Sequence, residues 1–207
     1  MLTEEQKQFF DTFGYLVLRE GFTPDETANI KRESDEIFSE GLGNTLPHGR
    51  VAVQPFFERR PFMSRLVEDE RIYGIGEGLL GPDFFLIGTE GNLHSGTTHW
   101  HGGGMWDESV KAVKIAFYPE PLTKSTGSLR VIPGSHRRGF PDLLEPLRGD
   151  SQNPPELPFG VPQSEIPCEA LELEPGDLGV FTEQILHSAF GGHTGRHQHA
   201  INFMEVP

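Results

Sequence analysis

Histidine is the residue type in this chain whose spacing most strongly suggests chemistry. His94, His99 and His101 lie within the segment NLHSGTTHWHGGG, and His187 opens a second group that continues with His193, His197 and His199. Imidazole nitrogen is a good ligand for iron, copper, zinc and nickel. If the two segments form neighbouring strands, their histidines can face one metal ion. Because a single histidine is often a surface or core residue, the spacing alone leaves a metal site and a structural role equally open.

The segment HGGG, which begins at His101, also resembles the oxyanion-hole motif of esterases. That chemistry needs a serine in a G-x-S-x-G turn, and the sequence has none, because Gly134-Ser135-His136 lacks the flanking pattern. The one cysteine, Cys168, can form neither a disulfide within the chain nor a cysteine-based zinc cluster. A serine hydrolase and a thiolate metal site are therefore not favoured.

The composition is that of a globular protein with an acidic surface. Hydrophobic residues make up 35% and charged residues 23%, and 17 Lys and Arg against 31 Asp and Glu give a net charge of -14. A surface of this sign repels phosphate, so we expect no nucleic-acid partner. No run of 18 apolar residues is present, and the N-terminus lacks the basic and apolar segments of a signal peptide. We therefore expect a cytoplasmic enzyme or binding protein with no membrane partner.

Helix signals are concentrated in the first 80 residues. Thr3 and Thr23 each stand three residues before a glutamine or glutamate, which predicts a capping box at the start of two helices. A third helical region is predicted at about Pro61 to Leu80, with interruptions near Asp69 and Gly74.

Strand signals dominate from Asp83 onward. The β-prone runs are FFLIG, VKIAFY, SLRVI, ALEL, LGVF and AINFMEV, each bounded by Gly, Pro or polar residues. Together with a short strand at Tyr15 to Leu18, they predict a mainly β fold, a sandwich or barrel behind a helical layer. We expect one domain over 1–207, with a helical support region at 1–80, a β core at 83–207 and a loop at 139–167. Because that loop is proline-rich and aperiodic, we expect it to act as a lid or binding loop.

Four segments in order resemble the phytanoyl-CoA dioxygenase family of iron(II)/2-oxoglutarate oxygenases. They are LTEEQKQFFDTFGYLVLREGFTPDE, HWHGGGMW, KIAFYPEPLTKSTGSLRVIPGSHRRGF and LEPGDLGVFTEQILHSAFGGHTGRHQHAINF. The resemblance covers nearly the whole chain. It implies a double-stranded β-helix, the cupin-like jelly roll, with N-terminal helices on one side. The implied cofactors are iron(II), 2-oxoglutarate and O2.

The resemblance also assigns roles to individual residues. It implies that His101 is the first iron ligand and that His187 is the distal one. Arg196, nine residues after His187, best matches the arginine that pairs with the distal carboxylate of 2-oxoglutarate. A guanidinium group suits that role because it can hold a carboxylate through two parallel hydrogen bonds.

One position departs from the family pattern. The family has His-x-Asp at the first metal motif, whereas this chain has His101-Gly102-Gly103. The carboxylate of the two-histidine, one-carboxylate triad is missing, because glycine has no side chain to bind iron. The departure resembles the iron/2-oxoglutarate halogenases, in which chloride binds iron at this position. It therefore favours a halogenase that acts on an aliphatic C–H of a small molecule and uses chloride or bromide, with Gly103 leaving room for the halide.

Three other interpretations stay open at this stage. The protein can be a hydroxylase in which water or Asp107 takes the vacant position, or one in which the aspartate was deliberately substituted. It can be a catalytically silent relative that only binds ligands. It can also use His99, His101 and His187 as a three-histidine site, since residues two apart on a strand share a face.

The sequence identifies the substrate only weakly. Trp100, Met105 and Trp106 flank the first metal motif and are the candidate walls of a substrate pocket. The net charge of -14 favours a neutral or cationic small molecule. The oligomeric state stays open.

Overall fold

Two antiparallel β-sheets packed face to face form the body of the protein. A computed structural model describes residues 2–46, 49–102, 110–137, 139–148 and 154–206. Its strands are β1 (Tyr15–Leu18), β2 (Asn44–Thr45), β3 (Val51–Val53), β4 (Phe84–His94), β5 (Thr98–His101), β6 (Ala112–Phe117), β7 (Thr126–Val131), β8 (Glu169–Leu171), β9 (Leu178–Thr182), β10 (His187–Gly191) and β11 (Arg196–Glu205). Its α-helices are α1 (Glu4–Phe13), α2 (Pro24–Ser39), α3 (Pro61–Val67), α4 (Glu70–Leu80), α5 (Phe140–Leu143) and α6 (Glu145–Arg148).

The strand order confirms the predicted jelly roll. The major sheet has seven strands in the order β1-β9-β6-β11-β4-β3-β2, and the minor sheet has four in the order β5-β10-β7-β8. Every described strand pair is antiparallel. Consecutive strands pair at β2-β3-β4 and at β7-β8, whereas β1 pairs with β9, β4 and β6 with β11, and β5 with β10. The second group of pairings brings segments together that are distant in sequence.

The hydrophobic core is layered in the same way. The N-terminal helices cover one face of the major sheet, where Ile30 and Ile37 of α2 pack with Ile115 and Ile201 of the strands. A second cluster fills the space between the sheets, and a third, around Trp100, lies on the minor sheet. The jelly roll is thus held between a helical layer and the segment that follows β7.

The first 80 residues are less purely helical than expected. The predicted capping boxes at Thr3 and Thr23 are present, with side chains that accept hydrogen bonds from the third residue of each helix. The chain between the helices also forms β1, β2 and β3, which extend the major sheet. The predicted interruption at Gly74 is wrong, because α4 runs through it, and only the break before Glu70 is formed.

The predicted loop at 139–167 contains local structure where it is described. It holds α5, α6 and two 3-10 helices, Pro158–Gly160 and Gln163–Glu165. Leu147 and Ile166 from this segment pack with Trp100 against the minor sheet. The segment is therefore attached to the sheet that carries the histidine motifs.

Candidate functional site

His101 and His187 lie directly opposite each other in the minor sheet. His101 ends β5, His187 begins β10, and the two residues are register partners in the antiparallel pair. Their ring centroids are 4.1 Å apart. His187 is buried, and His101 is accessible from a cavity that both residues line. The structure therefore brings the two sequence-predicted metal ligands to one point.

The hydrogen bonds of these two histidines fix their tautomers. Nδ1 of His101 is 2.7 Å from the carbonyl oxygen of His99, and Nδ1 of His187 is 2.9 Å from that of Ile185. A carbonyl oxygen only accepts, so each Nδ1 carries the proton and each Nε2 keeps a free lone pair. Burial lowers the pKa of His101. Burial also lowers the pKa of His187 well below its ordinary value, and the neighbouring His101 lowers it further. Two neutral imidazoles in this tautomer are suited to bind a divalent metal ion.

Gly102 allows the metal-binding strands to approach closely. A Cβ at this position would lie 2.2 Å from the carbonyl oxygen of Ile185, and its φ is +154°. Any side chain here would push β5 away from the segment that leads to His187. The following residues, including Gly103, Met105, Trp106, Asp107 and Glu108, lie outside the described residues, so the vacant ligand position and two predicted pocket walls stay predictions.

A β-bulge in β5 determines which side chains reach the cavity. His187 pairs with His101 and Ala189 pairs with Thr98, so three steps along β5 match two along β10. As a result Thr98 and His101 both line the cavity, whereas His99 contacts the side chain of Gln163. Within the described part of the chain no group of three His, Cys, Asp or Glu residues can hold a metal ion. The three-histidine interpretation is therefore wrong for these residues.

Gln163 connects the segment after α6 to the first metal motif. Its Nε2 donates to the carbonyl oxygen of Pro155 at 2.6 Å, which orients Oε1 toward Nδ1 of His99 at 3.3 Å. Its own carbonyl oxygen accepts from Nε1 of Trp100 at 3.0 Å. The carbonyl oxygen of His99 accepts the hydrogen bond that orients the His101 ring. By contacting His99 and Trp100, Gln163 therefore stabilises the part of β5 that positions His101.

Arg196 is buried in a space made by two glycines. The residue is 1% exposed, and its Nη1 donates to the carbonyl oxygen of Gly191 at 3.1 Å. A Cβ at Gly127 would lie 2.7 Å from the guanidinium carbon, and a Cβ at Gly192 would lie 2.2 Å from Nη1. Burial lowers the pKa of Arg196, and no acidic side chain of the described residues pairs with it. A buried guanidinium facing the same cavity as the histidines fits the distal carboxylate of 2-oxoglutarate.

Several cavity residues were missed by the sequence analysis. They come mainly from the major sheet and lie across the cavity from His101 and His187; they are Arg50, Glu90, Lys114, Tyr118 and Gln198, and His94, which the sequence analysis named as a possible metal-facing residue, lies among them. Lys114 Nζ is 3.0 Å from Glu90 and 3.3 Å from Glu183. A usable signal was present, because Lys114 is the one charge in the otherwise apolar strand AVKIAF.

Trp100 lies in the core. It is 2% exposed and packs with Leu147, Ile166, Leu186 and Phe190, on the side of β5 away from His101. The structure thus gives Trp100 a packing role in place of the pocket role expected from the sequence.

The remaining histidines of the described residues serve other contacts. His136 Nε2 lies 3.4 Å from the carbonyl oxygen of Asp11, next to the end of α1. His193 pairs with Glu120. The others, His197 and His199, face α2, where they contact Asp35 and Ser34. None of these four lines the cavity of His101 and His187.

A jelly roll that presents two neutral histidines and a buried arginine to one cavity defines a non-haem iron, 2-oxoglutarate-dependent oxygenase. The family model for phytanoyl-CoA dioxygenase (PhyH) matches residues 84–200, more than half of the chain. The chain belongs to this family.

Named relatives share about a quarter of their residues with the chain. An ectoine dioxygenase of Sphingopyxis alaskensis is 25% identical over 224 residues, which cover 93% of this chain and 72% of that protein. An ectoine dioxygenase of Nocardia farcinica is 27% identical over 184 residues, which cover 78% of this chain and 60% of that protein. The chain therefore spans between about three fifths and three quarters of the length of these relatives.

Solved structures share the fold at lower identity. HygX from Streptomyces hygroscopicus, with nickel and 2-oxoglutarate bound, superposes with a TM-score of 0.78 at 21% identity, covering 100% of this chain and 88% of that one. EctD from S. alaskensis with bound Fe superposes with a TM-score of 0.72 at 21% identity, covering 98% of this chain and 75% of that one. At these identities the comparison establishes the fold. Among the described residues no helix is long and apolar enough to cross a membrane.

Proposed function

We propose that this protein is an iron(II)/2-oxoglutarate-dependent hydroxylase that oxidises an aliphatic C–H of a small polar molecule. The observation that carries the proposal is the convergence of His101, His187 and Arg196 on one cavity. The names of the relatives support hydroxylation, because the four matched proteins are ectoine dioxygenases.

The described side chains divide into two roles in this proposal. His101 and His187 hold iron(II) through their Nε2 atoms, because both Nδ1 atoms are already hydrogen-bonded. Arg196 orients 2-oxoglutarate through its distal carboxylate. Iron with 2-oxoglutarate and O2 supplies the oxidising chemistry. The chain contributes the binding geometry and a cavity wall that keeps the reacting groups away from bulk water.

Polar side chains support a polar substrate. His94 Nε2 lies 3.0 Å from Oε1 of Gln198, and Asn92 donates to the same oxygen at 3.1 Å. His94 and Gln198 line the same cavity as the two metal-facing histidines. An apolar chain placed against them would leave these groups without water, which costs free energy. Met105 and Trp106 remain our candidates for the outer wall of the pocket.

Halogenation is the second candidate, and Gly103 is the observation that favours it. With no carboxylate two residues after His101, an anion from solution can take the vacant metal position and restore its negative charge. Chloride or bromide is then a co-substrate. In the hydroxylase, water or a carboxylate from Asp107 or Glu108 takes that position.

One experiment tests both candidates without a known substrate. Iron(II) and 2-oxoglutarate are added to the protein without oxygen, and the visible charge-transfer band is recorded with and without chloride. A band indifferent to chloride supports the hydroxylase, whereas a chloride-dependent shift that Gly103→Asp abolishes supports the halogenase. Gly104→Asp is the matched control, because it adds the same charge one residue further along. If a folded protein gives no band, both candidates are wrong.

A further inference from the structure

The cavity carries more positive than negative charge, although the protein as a whole has a net charge of -14. Three cationic side chains, Arg50, Lys114 and Arg196, line it, and Glu90 is the one carboxylate among the described lining residues. Lys114 is already paired, at 3.0 Å from Glu90 and 3.3 Å from Glu183. The two arginines are therefore the cationic side chains of the lining that form no ion pair, whereas Lys114 with Glu90 and Glu183 forms a cluster with one net negative charge.

Arg50 and Arg196 each lack an acidic partner among the described residues. Arg196 donates to the carbonyl oxygen of Gly191, and Arg50 makes no ion pair there. Arg50 directly precedes β3, whose Val51 is the register partner of Leu93, so Arg50 stands beside the end of β4 at His94.

Two separate guanidinium groups in one cavity can bind two anionic groups. Arg196 is buried and Arg50 is half-buried, and neither has a counterion among the described residues. An oxyanion that accepts from either guanidinium group would gain charge-assisted hydrogen bonds. A dicarboxylate held through Arg196 and the metal leaves Arg50 unbalanced. The two histidines that would hold iron are neutral, so they add no negative charge that could offset Arg50.

We propose that Arg50 is a second anion-binding residue of the cavity, which takes the carboxylate of the substrate. The inference rests on the proposed function, because it assigns Arg196 to 2-oxoglutarate. It names the substrate class as a small carboxylic acid. It also revises the expectation from net charge, since the charge at the site has the opposite sign to that of the surface.

Acetate is the probe for this site, with acetamide as its uncharged counterpart of similar size. The protein is loaded with nickel(II), which does not turn over, and saturated with 2-oxoglutarate so that Arg196 is occupied. Calorimetry then measures the dissociation constant of each probe. We expect saturable acetate binding and none for acetamide. Arg50→Gln should weaken acetate binding by about tenfold or more, since bonds to charged groups are the strong ones.

Two further variants separate a local effect from a general one. Arg50→Lys keeps the charge and should retain part of the affinity. Arg65→Gln removes an exposed arginine of α3 that does not line the cavity, and should bind acetate as the wild type does. If Arg50→Gln does not fold, the wild type is loaded with diamagnetic zinc(II) and 2-oxoglutarate, and the Arg50 Nε–H resonance is followed in the 15N spectrum; acetate must shift it.

The possible results are distinct. The proposal is overturned if the loaded wild type shows no saturable acetate binding. It is also overturned if Arg50→Gln binds acetate as tightly as the wild type, because acetate then binds to the metal or elsewhere. Chloride that binds the wild type more tightly than acetate does, and binds Arg50→Gln about tenfold or more weakly, assigns Arg50 to a halide and also overturns the proposal. If the wild type binds neither nickel nor 2-oxoglutarate, the proposed function itself fails, whatever acetate does.

Discussion

His101 and His187 are directly opposed residues on neighbouring antiparallel strands, with their ring centroids 4.1 Å apart. Opposed residues on one face have Cβ atoms about 4.5–5.5 Å apart, which places two imidazoles within reach of a common ion. The two residues are far apart in sequence, and the pairing of β5 with β10 joins them. Since the two Nδ1 atoms are bonded alike, both rings present the same atom to the cavity.

We expect His101→Ala and His187→Ala each to abolish iron binding. Each change removes one of the two imidazole donors, and the described residues hold no third ligand that could compensate. The measurement is the charge-transfer band with iron(II) and 2-oxoglutarate under anaerobic conditions. His193→Ala is the control, because His193 is exposed and pairs with Glu120 away from the cavity. A normal band in either ligand variant would contradict the assignment.

Gly127→Ala should weaken 2-oxoglutarate binding by about tenfold or more, since charge-assisted bonds are lost. The new Cβ would lie 2.7 Å from the Arg196 guanidinium, which must then move. Gly41→Ala is the matched control: its φ is +70°, against +93° at Gly127, and no heavy atom lies within 4 Å of its new Cβ. Both variants are destabilised because alanine is placed at a positive φ. Only Gly127→Ala should raise the dissociation constant of 2-oxoglutarate, measured by titration of the iron-loaded protein.

Gln163→Leu should weaken metal binding without direct contact to the metal. It removes the bonds to Pro155 and His99, so the carbonyl group that orients His101 is held less firmly. We expect a severalfold rise in the iron(II) dissociation constant. Ile166→Ala loosens the same segment through packing alone and shows what general destabilisation does. If both variants lose equal thermal stability and equal iron affinity, Gln163 has only a structural role.

Stability should fall as the pH is lowered, with His199 as one cause. His199 is fully buried and stacked on Phe56, and burial lowers its pKa to about 3. The unfolded chain therefore binds a proton that the folded one does not, so stability is lost between pH about 6.5 and 3, at up to ~1.4 kcal/mol per unit. His199→Phe removes one group that takes up a proton on unfolding, so the free energy of unfolding should depend less steeply on pH in this range. Urea unfolding at several pH values measures it, with exposed His193→Gln as the control.

Much of the fold was predictable, because its determinants are local. Six β-prone runs correspond to six of the observed strands, and the capping boxes at Thr3 and Thr23 form as expected. The strands β5 and β10 were not among those runs, since their polar histidine-containing sequences lack strand periodicity. They are strands because the jelly roll pairs them.

The polar side of the cavity could not be predicted for a different reason. Arg50, Glu90 and Lys114 belong to three separate segments that only the order of the major sheet brings together. The bulge in β5 is also a property of pairing, because it exists only relative to β10. Sequence reasoning that assumed regular alternation therefore placed His99 beside His101.

Because of the bulge in β5, the number of histidines that face the site can change in evolution without any histidine being replaced. In a regular ladder His99 would stand opposite Ala189, on the face of His101; the extra residue puts Thr98 there instead. Loss or gain of one residue in this short strand would thus change how many imidazoles reach the ion. An insertion or deletion in β5 can therefore change which side chains face the site while both histidines of the pair are retained.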